Sequence, residues 1–167
     1  LGVIGRNGSG KTTLLNIISG ITTPTTGQLT VKGKVSALIT LGAGFHPELT
    51  GEENIYLNGT ILGMTIKEIR HKLEGIIDFC QLNDFIDAPL RTYSAGMQMR
   101  LGFAVAIHVD FDILLIDEIF YVGDISFQQK CLDKMNELRR QGKTIILVSQ
   151  SLNLIKEFCD ETILLDE

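Results

Sequence analysis

No run of apolar residues in this 167-residue chain approaches the ~18 needed to cross a bilayer as a helix. No charged segment followed by an apolar one opens the sequence either, so neither a membrane span nor a secretory leader is expected and any role at a membrane goes through a partner. Basic residues are in deficit: 15 Lys and Arg against 20 Asp and Glu leave a net charge of −5, which argues against a nucleic-acid surface. Cysteine is scarce, and Cys80, Cys131 and Cys159 are odd in number, far apart and set among apolar or helical residues. They read as reduced packing residues of a cytosolic protein, not as a disulfide framework or metal site. His46, His71 and His108 have no partners at metal-ligand spacing and read as solvated or packing side chains. No internal repeat or low-complexity tract is present.

What remains is an ordinary globular composition, 44% apolar and 21% charged, long enough to bury one sizeable core. Short apolar runs at Leu1 to Ile4, Val35 to Ile39, Ile113 to Ile116, Thr144 to Val148 and Thr162 to Leu165 have the length and continuity of buried strands. Helical patterns lie at Leu14 to Ser19, Phe127 to Arg140 and Leu152 to Phe158, with an alternating stretch at Gln28 to Lys32. From about Gly51 to Val109 apolar residues recur only at helical spacing, as in Ile66, Ile69, Leu73, Ile76 and Ile77. Strand and helix in alternation predict an α/β core with a parallel sheet flanked by helices. The core is expected over 1–41 and 110–167, with a mainly helical subdomain inserted at 42–109. Because the chain begins inside a strand, a fragment of a longer protein lacking its N-terminal strands is expected.

Between the first strand and the first helix, Gly5-Arg6-Asn7-Gly8-Ser9-Gly10-Lys11-Thr12 is followed by Thr13. Three glycines let successive backbone N–H groups converge on an anion, and the helix that follows points its positive end at the same place. Lys11 has the reach for outer phosphates, and the Thr12 hydroxyl suits a magnesium ion bridging them. A plain strand-to-helix turn needs no Lys-Thr at that offset, so a nucleoside triphosphate site is the reading. The strand Ile113 to Ile116 ends in Asp117-Glu118, and open α/β sheets bind ligands at the carboxyl ends of their strands. Asp117 is placed to hold magnesium and Glu118 to orient and polarise an attacking water.

Tyr93-Ser94-Ala95-Gly96-Met97 precedes a helical run, which marks a helix N-cap at or next to Ser94. With the two motifs above in order, this string resembles the signature of ABC-type ATPases, and the resemblance spans nearly all of the chain. It implies a P-loop NTPase fold and a site shared between two copies, in which Ser94, Ala95, Gly96 and Met97 face the ATP held by the opposite subunit. Ala95 and Met97 stand where glycine and glutamine are commonest. Leu41 to Ile55, Tyr93 to Leu101 and Val122-Gly123-Asp124-Ile125-Ser126-Phe127 are similar to segments of the exporters of bacterial surface polysaccharides, such as O-antigen, capsule and teichoic acid. Asp124 then falls at the aspartate that contacts the partner cassette in that family.

The resemblance implies an ATP-binding and ATP-hydrolysing subunit with ATP and Mg2+ as cofactors. Its partners would be a second copy, head to tail, and a multi-span membrane permease, with no nucleic acid and no insertion of its own into the bilayer. It would sit at the cytoplasmic face of the bacterial plasma membrane. Two positions depart from the family. Leu41 aligns with the usual magnesium-sensing glutamine and cannot bind a metal or water, which leaves Phe45 to Glu48 as candidates for relaying nucleotide state to the membrane partner. Gln150 stands where the family ordinarily has a histidine on the γ-phosphate; an amide still donates a hydrogen bond but carries no charge, so slower hydrolysis is expected. Two other readings are weighed against this one. A soluble ABC-type machine on nucleic acid or ribosomes would usually carry two cassettes or a long coiled coil, and no heptads run between Thr12 and Ser94. A weakly hydrolysing regulatory switch is favoured only by Gln150.

Overall fold

The computed structural model describes residues 1–38, 41–117 and 124–166. The chain divides into two compact units, one formed by 1–39, 111–120 and 131–167 and the other by 40–110 and 121–130.

The first unit is built on a five-stranded sheet. Its strands are β1 (Gly2–Gly5), β2 (Val35–Leu38), β3 (Ile113–Asp117), β4 (Thr144–Val148) and β5 (Thr162–Leu165), in the spatial order β2-β3-β4-β1-β5. Every pairing is parallel, with Gly2 beside Leu147 and Thr162, and Asp117 beside Val148. The central strands carry apolar residues on both faces because both are covered: Leu114 and Leu115, adjacent and on opposite faces, are both fully buried. Val3, Leu15, Leu115, Ile146 and Val148 form a core against which Leu14, Ile18, Ala37 and Leu165 pack. In chain order three helices follow β1, β3 and β4: α1 (Lys11–Ile18), α5 (Ile125–Arg140, of which 131–140 belong to this unit) and α6 (Leu152–Phe158).

Between β1 and β2 the chain has to pass the positions of β4 and β3, whereas β5 lies on the other side of β1. A crevice at the carboxyl end of such a strand is where open α/β sheets take their ligands. The alternating stretch 28–32 forms no strand; its residues are exposed apart from the half-buried Val31, and no described strand lies beside it to supply a ladder.

The second unit is helical, with α2 (Gly51–Ile61), α3 (Ile66–Cys80) and α4 (Ala95–His108), residues 125–130 of α5, and short 3-10 turns at Asn83–Phe85 and Leu90–Thr92. Both α2 and α3 start with full capping boxes. Thr50 Oγ1 accepts from Glu53 N–H while Glu53 reaches back to Thr50 N–H, and Thr65 and Glu68 repeat the arrangement. The apolar face of α3, Ile69, Ile76 and Cys80, packs with Ile55, Leu101, Ala104 and Val105 in one core. Phe79, Phe103 and Phe127 add a ring cluster with centroids 5.8–6.3 Å apart. Lys130 Nζ lies 4.8 Å from the Phe79 centroid and donates to the carbonyls of Asp78 and Phe79, closing the carboxyl end of α3 with a cation.

None of the described helices is long and apolar enough to cross a membrane. None of the three cysteines is in a disulfide; Cys80 and Cys131 are buried and Cys159 half-buried.

Candidate functional site

The loop from β1 into α1 is shaped by what its glycines avoid. A Cβ on Gly5 would lie 2.5 Å from both the Leu165 carbonyl oxygen and Ser9 Oγ, so the chain can fold back over the end of β1 only without a side chain there. Gly8 and Gly10 have φ of 87° and 90°, a left-handed backbone that L side chains rarely adopt. Gly10 is the N-cap of α1 and offers no side chain to its orphan N–H groups. The first-turn amides are therefore open to an incoming anion.

Lys11, the first residue of α1, is 8% exposed. Its ammonium donates to the carbonyls of Gly5 at 2.9 Å and Arg6 at 2.8 Å, which holds the cation over the loop rather than in solvent. Thr12 Oγ1 donates to Asp117 Oδ2 at 2.9 Å, so the loop hydroxyl and the carboxylate at the end of β3 meet although 105 positions separate them. On the other side, Gln150 Nε2 donates to Asn7 Oδ1 at 3.0 Å. Asn7, Gly8, Gly10, Lys11, Thr12, Thr13, Asp117 and Gln150 line one cavity of about 500 Å³, within the size range of small-molecule sites. Its chemistry is one cation, helix-end amides, two threonine hydroxyls, two side-chain carboxamides and a carboxylate. Ser9 Oγ is buried without a hydrogen-bond partner beneath the loop, an orphan that a phosphate-binding rearrangement can satisfy. Glu118 lies outside the described residues.

In the helical unit, Ser94 is the N-cap of α4, its Oγ accepting from Met97 N–H at 3.2 Å. Ser94 and Ala95 are exposed, Gly96 and Met97 half-buried. Tyr93 fixes the entry to this turn: its buried ring donates through the hydroxyl to the Phe85 carbonyl at 2.7 Å. Burial pushes the Tyr93 phenol up to about 12, so it is a donor at all physiological pH values. Gly51 must lack a side chain because a Cβ there would collide with that hydroxyl.

Asp124 caps α5, with Oδ1 accepting from Ser126 Oγ at 2.6 Å and Phe127 N–H at 3.0 Å. These bonds, the Ser126 hydroxyl first, hold its carboxyl below the usual range. Arg100, to which no sequence motif assigns a role, stands 3.9 Å from Asp124 Oδ2, donates to the Cys80 carbonyl at 3.0 Å and the Gln81 side chain at 2.9 Å, and stacks 4.9 Å from the Phe127 centroid. No local pattern in the sequence signals this, because its partners Cys80, Gln81, Asp124 and Phe127 are brought to it by the fold. Leu41 is half-buried, and a Cβ on Gly102 of α4 would lie 2.9 Å from Gly42 N. Among the described residues no group of three His, Cys, Asp or Glu side chains could hold a metal by itself.

Against known proteins, residues 1–121 match the family model described as ABC transporter. The O-antigen export system ATP-binding protein RfbB of Myxococcus xanthus is 59% identical over 160 residues, which cover 96% of this chain and 37% of that protein. A Klebsiella pneumoniae protein of the same name is 49% identical over 161 residues, covering 96% and 65%. The teichoic acids export ATP-binding protein TagH of Lactiplantibacillus plantarum is 52% identical over 160 residues, covering 96% and 44%. The chain thus spans between 37% and 65% of the length of these three relatives. Among solved structures, an ATP binding subunit of an ABC transporter superposes with a TM-score of 0.85 at 23% identity, over 98% of this chain and 73% of that one. The ATP-binding cassette MJ0796, a dimer in a post-hydrolysis state bound to ADP and Pi, gives 0.81 at 24% identity over 99% and 80%. These two likenesses establish the α/β fold with its parallel sheet, and the family match together with the 49–59% identities establishes more: this chain belongs to the ABC transporter family.

Proposed function

We propose that this chain is the ATP-binding and ATP-hydrolysing part of an exporter of lipid-linked cell-surface polysaccharide, working through a separate membrane subunit. The observation that carries the first half of this reading is the Lys11 ammonium held over an open helix N-terminus, beside the Thr12 to Asp117 hydrogen bond. The printed names of the O-antigen and teichoic acid relatives support the second half.

Gly8, Ser9, Gly10 and the amides at the start of α1 bind the phosphates, and Lys11 exchanges its two carbonyl acceptors for phosphate oxygens. The residues also fit magnesium, since Thr12 and Asp117 put a hydroxyl and a carboxylate oxygen together, and hard oxygen donors used one or two at a time are how proteins hold that ion. When bound, magnesium neutralises charge on the phosphates. Asp117 and Thr12 keep its place, Gln150 offers its amide to the terminal phosphate, and Glu118 orients and polarises the attacking water.

Ser94, Ala95, Gly96 and Met97 complete the site of a second copy, with Asp124 at the contact between copies. Each copy then lends its signature turn to the other's nucleotide, and binding closes the pair while hydrolysis reopens it. The position is peripheral, at the cytoplasmic face of the membrane. Because Gln150 replaces a chargeable histidine, turnover is slower than a histidine would allow.

The test is ATP turnover by the full-length protein with its membrane subunit, together with restoration of surface polysaccharide in cells lacking the native gene. Both activities should appear with the wild-type chain and disappear with Lys11→Ala. Wild-type turnover without restored polysaccharide would leave the ATPase reading and remove the export reading.

A further inference from the structure

The loop at residues 46–50 carries part of the stretch read above as the relay to a membrane partner, and one buried side chain holds it. Asn54, in the first turn of α2, is fully buried. Its Oδ1 accepts from His46 N–H at 2.7 Å. Its Nδ2 donates to the carbonyls of His46 at 3.0 Å, Leu49 at 3.1 Å and Thr50 at 2.9 Å. An amide has two N–H bonds for these three acceptors, so one is shared. The backbone also fixes which end is oxygen, because the His46 N–H can only donate and the carbonyls can only accept.

The same loop is tied by its backbone to the segment that leads into the signature turn. Leu90 N–H donates to the Leu49 carbonyl at 2.8 Å and Arg91 N–H to that of Pro47 at 2.9 Å, while Gly51 and Glu52 donate to Ala88 and Ile86 at 3.2 and 3.1 Å. Thr50 and Pro89 form an antiparallel bridge, and Glu48 pairs with Arg91 at 3.4 Å across it. Two residues further on, Tyr93 N–H donates to the Leu90 carbonyl at 3.0 Å and Ser94 caps α4. The Leu49 carbonyl is the junction, accepting from both Asn54 and Leu90.

We infer that Asn54 is a positioning residue for the signature turn: by clamping residues 46–50 it makes the loop and the segment 86–94 one rigid piece, so that movement imposed on the loop reaches Ser94. An apolar side chain in its place would leave the His46 N–H without its acceptor and would strip one donor each from the carbonyls of His46, Leu49 and Thr50, which keep only their backbone donors, and the strap would loosen at its anchored end. The inference rests on the proposed role of Ser94 at an opposite ATP.

The experiment compares full-length wild type with Asn54→Ala by amide hydrogen exchange, ATP affinity and steady-state turnover. Should Asn54→Ala not fold, Asn54→Ser takes its place, since a serine hydroxyl can still donate to the carbonyl four residues back. We expect the amides of His46, Leu90 and Arg91 to lose protection at least ~10-fold with those of β3 and β4 unchanged. ATP affinity should stay within about two-fold and kcat fall at least ~5-fold, the signature of lost positioning rather than lost binding. Unchanged exchange at Leu90 and Arg91 overturns the clamp, and increased exchange with kcat kept reduces Asn54 to a structural role and overturns the positioning. If the wild type binds no ATP, the proposed function itself fails, which is a separate outcome.

Discussion

Replacing Lys11 with alanine separates what this side chain does for the free protein from what it does for a phosphate. In the free protein its ammonium makes two bonds, to Gly5 and Arg6 carbonyls at 2.9 and 2.8 Å. Lys11 itself lines a cavity of about 500 Å³, so water can take the place of its ammonium at both carbonyls and the lost bonds are largely made good by hydration. The stability cost should be about 1 kcal/mol, the low end for a lost hydrogen bond, and the fall in Tm roughly 2–4 °C for a chain of this size. Toward ATP no such replacement exists, because water cannot supply the positive charge. A charge-assisted hydrogen bond contributes about 1.5–3 kcal/mol, so Kd for ATP should weaken roughly 10- to 100-fold. Lys11→Arg keeps the charge but not the compact head that fits between two carbonyls, and should fall between the two. Differential scanning fluorimetry with and without nucleotide, and calorimetric titration with ATP, read both quantities. A Kd within about three-fold of wild type, less than ~0.7 kcal/mol, would refute the reasoning that Lys11 addresses phosphate.

Gly102→Ala should lower stability despite alanine's helix propensity, since its Cβ would sit 2.9 Å from the backbone nitrogen of Gly42. Overpacking of ~1–3 kcal/mol outweighs a propensity gain of ~1 kcal/mol, and a raised Tm would contradict this. Gln150→His should raise turnover roughly 2- to 10-fold, the effect of ~0.5–1.5 kcal/mol from a stronger bond at the terminal phosphate; no increase sinks the idea. Burial pushes the Cys80 thiol up from 9.0 to about 11 and the Tyr93 phenol up from 10.0 to about 12. The native state therefore keeps protons that the unfolded chain has lost. The contribution of these two groups to unfolding free energy should be constant below about pH 9 and fall as pH rises through about 11–12, the opposite sign from a salt-bridged carboxylate. Chemical denaturation at pH 8, 10 and 11 checks this, and a rise in stability over that interval contradicts it.

The parts of the structure visible in the sequence are those whose signal is local. Strands Thr144–Val148 and Thr162–Leu165 and helix Leu152–Phe158 run where the apolar pattern places them. Ser94 caps α4 as its hydroxyl suggests. Helix ends are less readable where a cap replaces a periodic residue. Helix α5 begins at Ile125, two residues before its first core side chain, because Asp124 supplies the cap. Helix α1 begins at Lys11, following a glycine whose left-handed backbone no periodicity reports. The order of strands in the sheet has no local signature, so the meeting of Thr12 with Asp117 was inferred only from motif order and is given by parallel pairing of β3, β4 and β1. Asn54 was invisible for a related reason. Its partners are backbone atoms, whose identity is the same whatever the sequence, and only the folded path of residues 46–50 brings them to one amide. Arg100 and Gly51 likewise reveal their roles only through what the fold sets against them.

In the proposed function each chain holds half of a shared site, with Lys11 serving its own nucleotide and Ser94 that of a second copy. Lys11→Ala and Ser94→Arg, each inactive alone, should be mixed as full-length proteins under conditions that let subunits exchange, and ATP turnover measured. Half of randomly formed pairs are mixed, and each mixed pair has one site with both an intact loop and an intact signature. Turnover should therefore return to about a quarter of the wild-type rate if the two sites act independently. Mixed samples that stay as inactive as either variant alone would contradict the shared site.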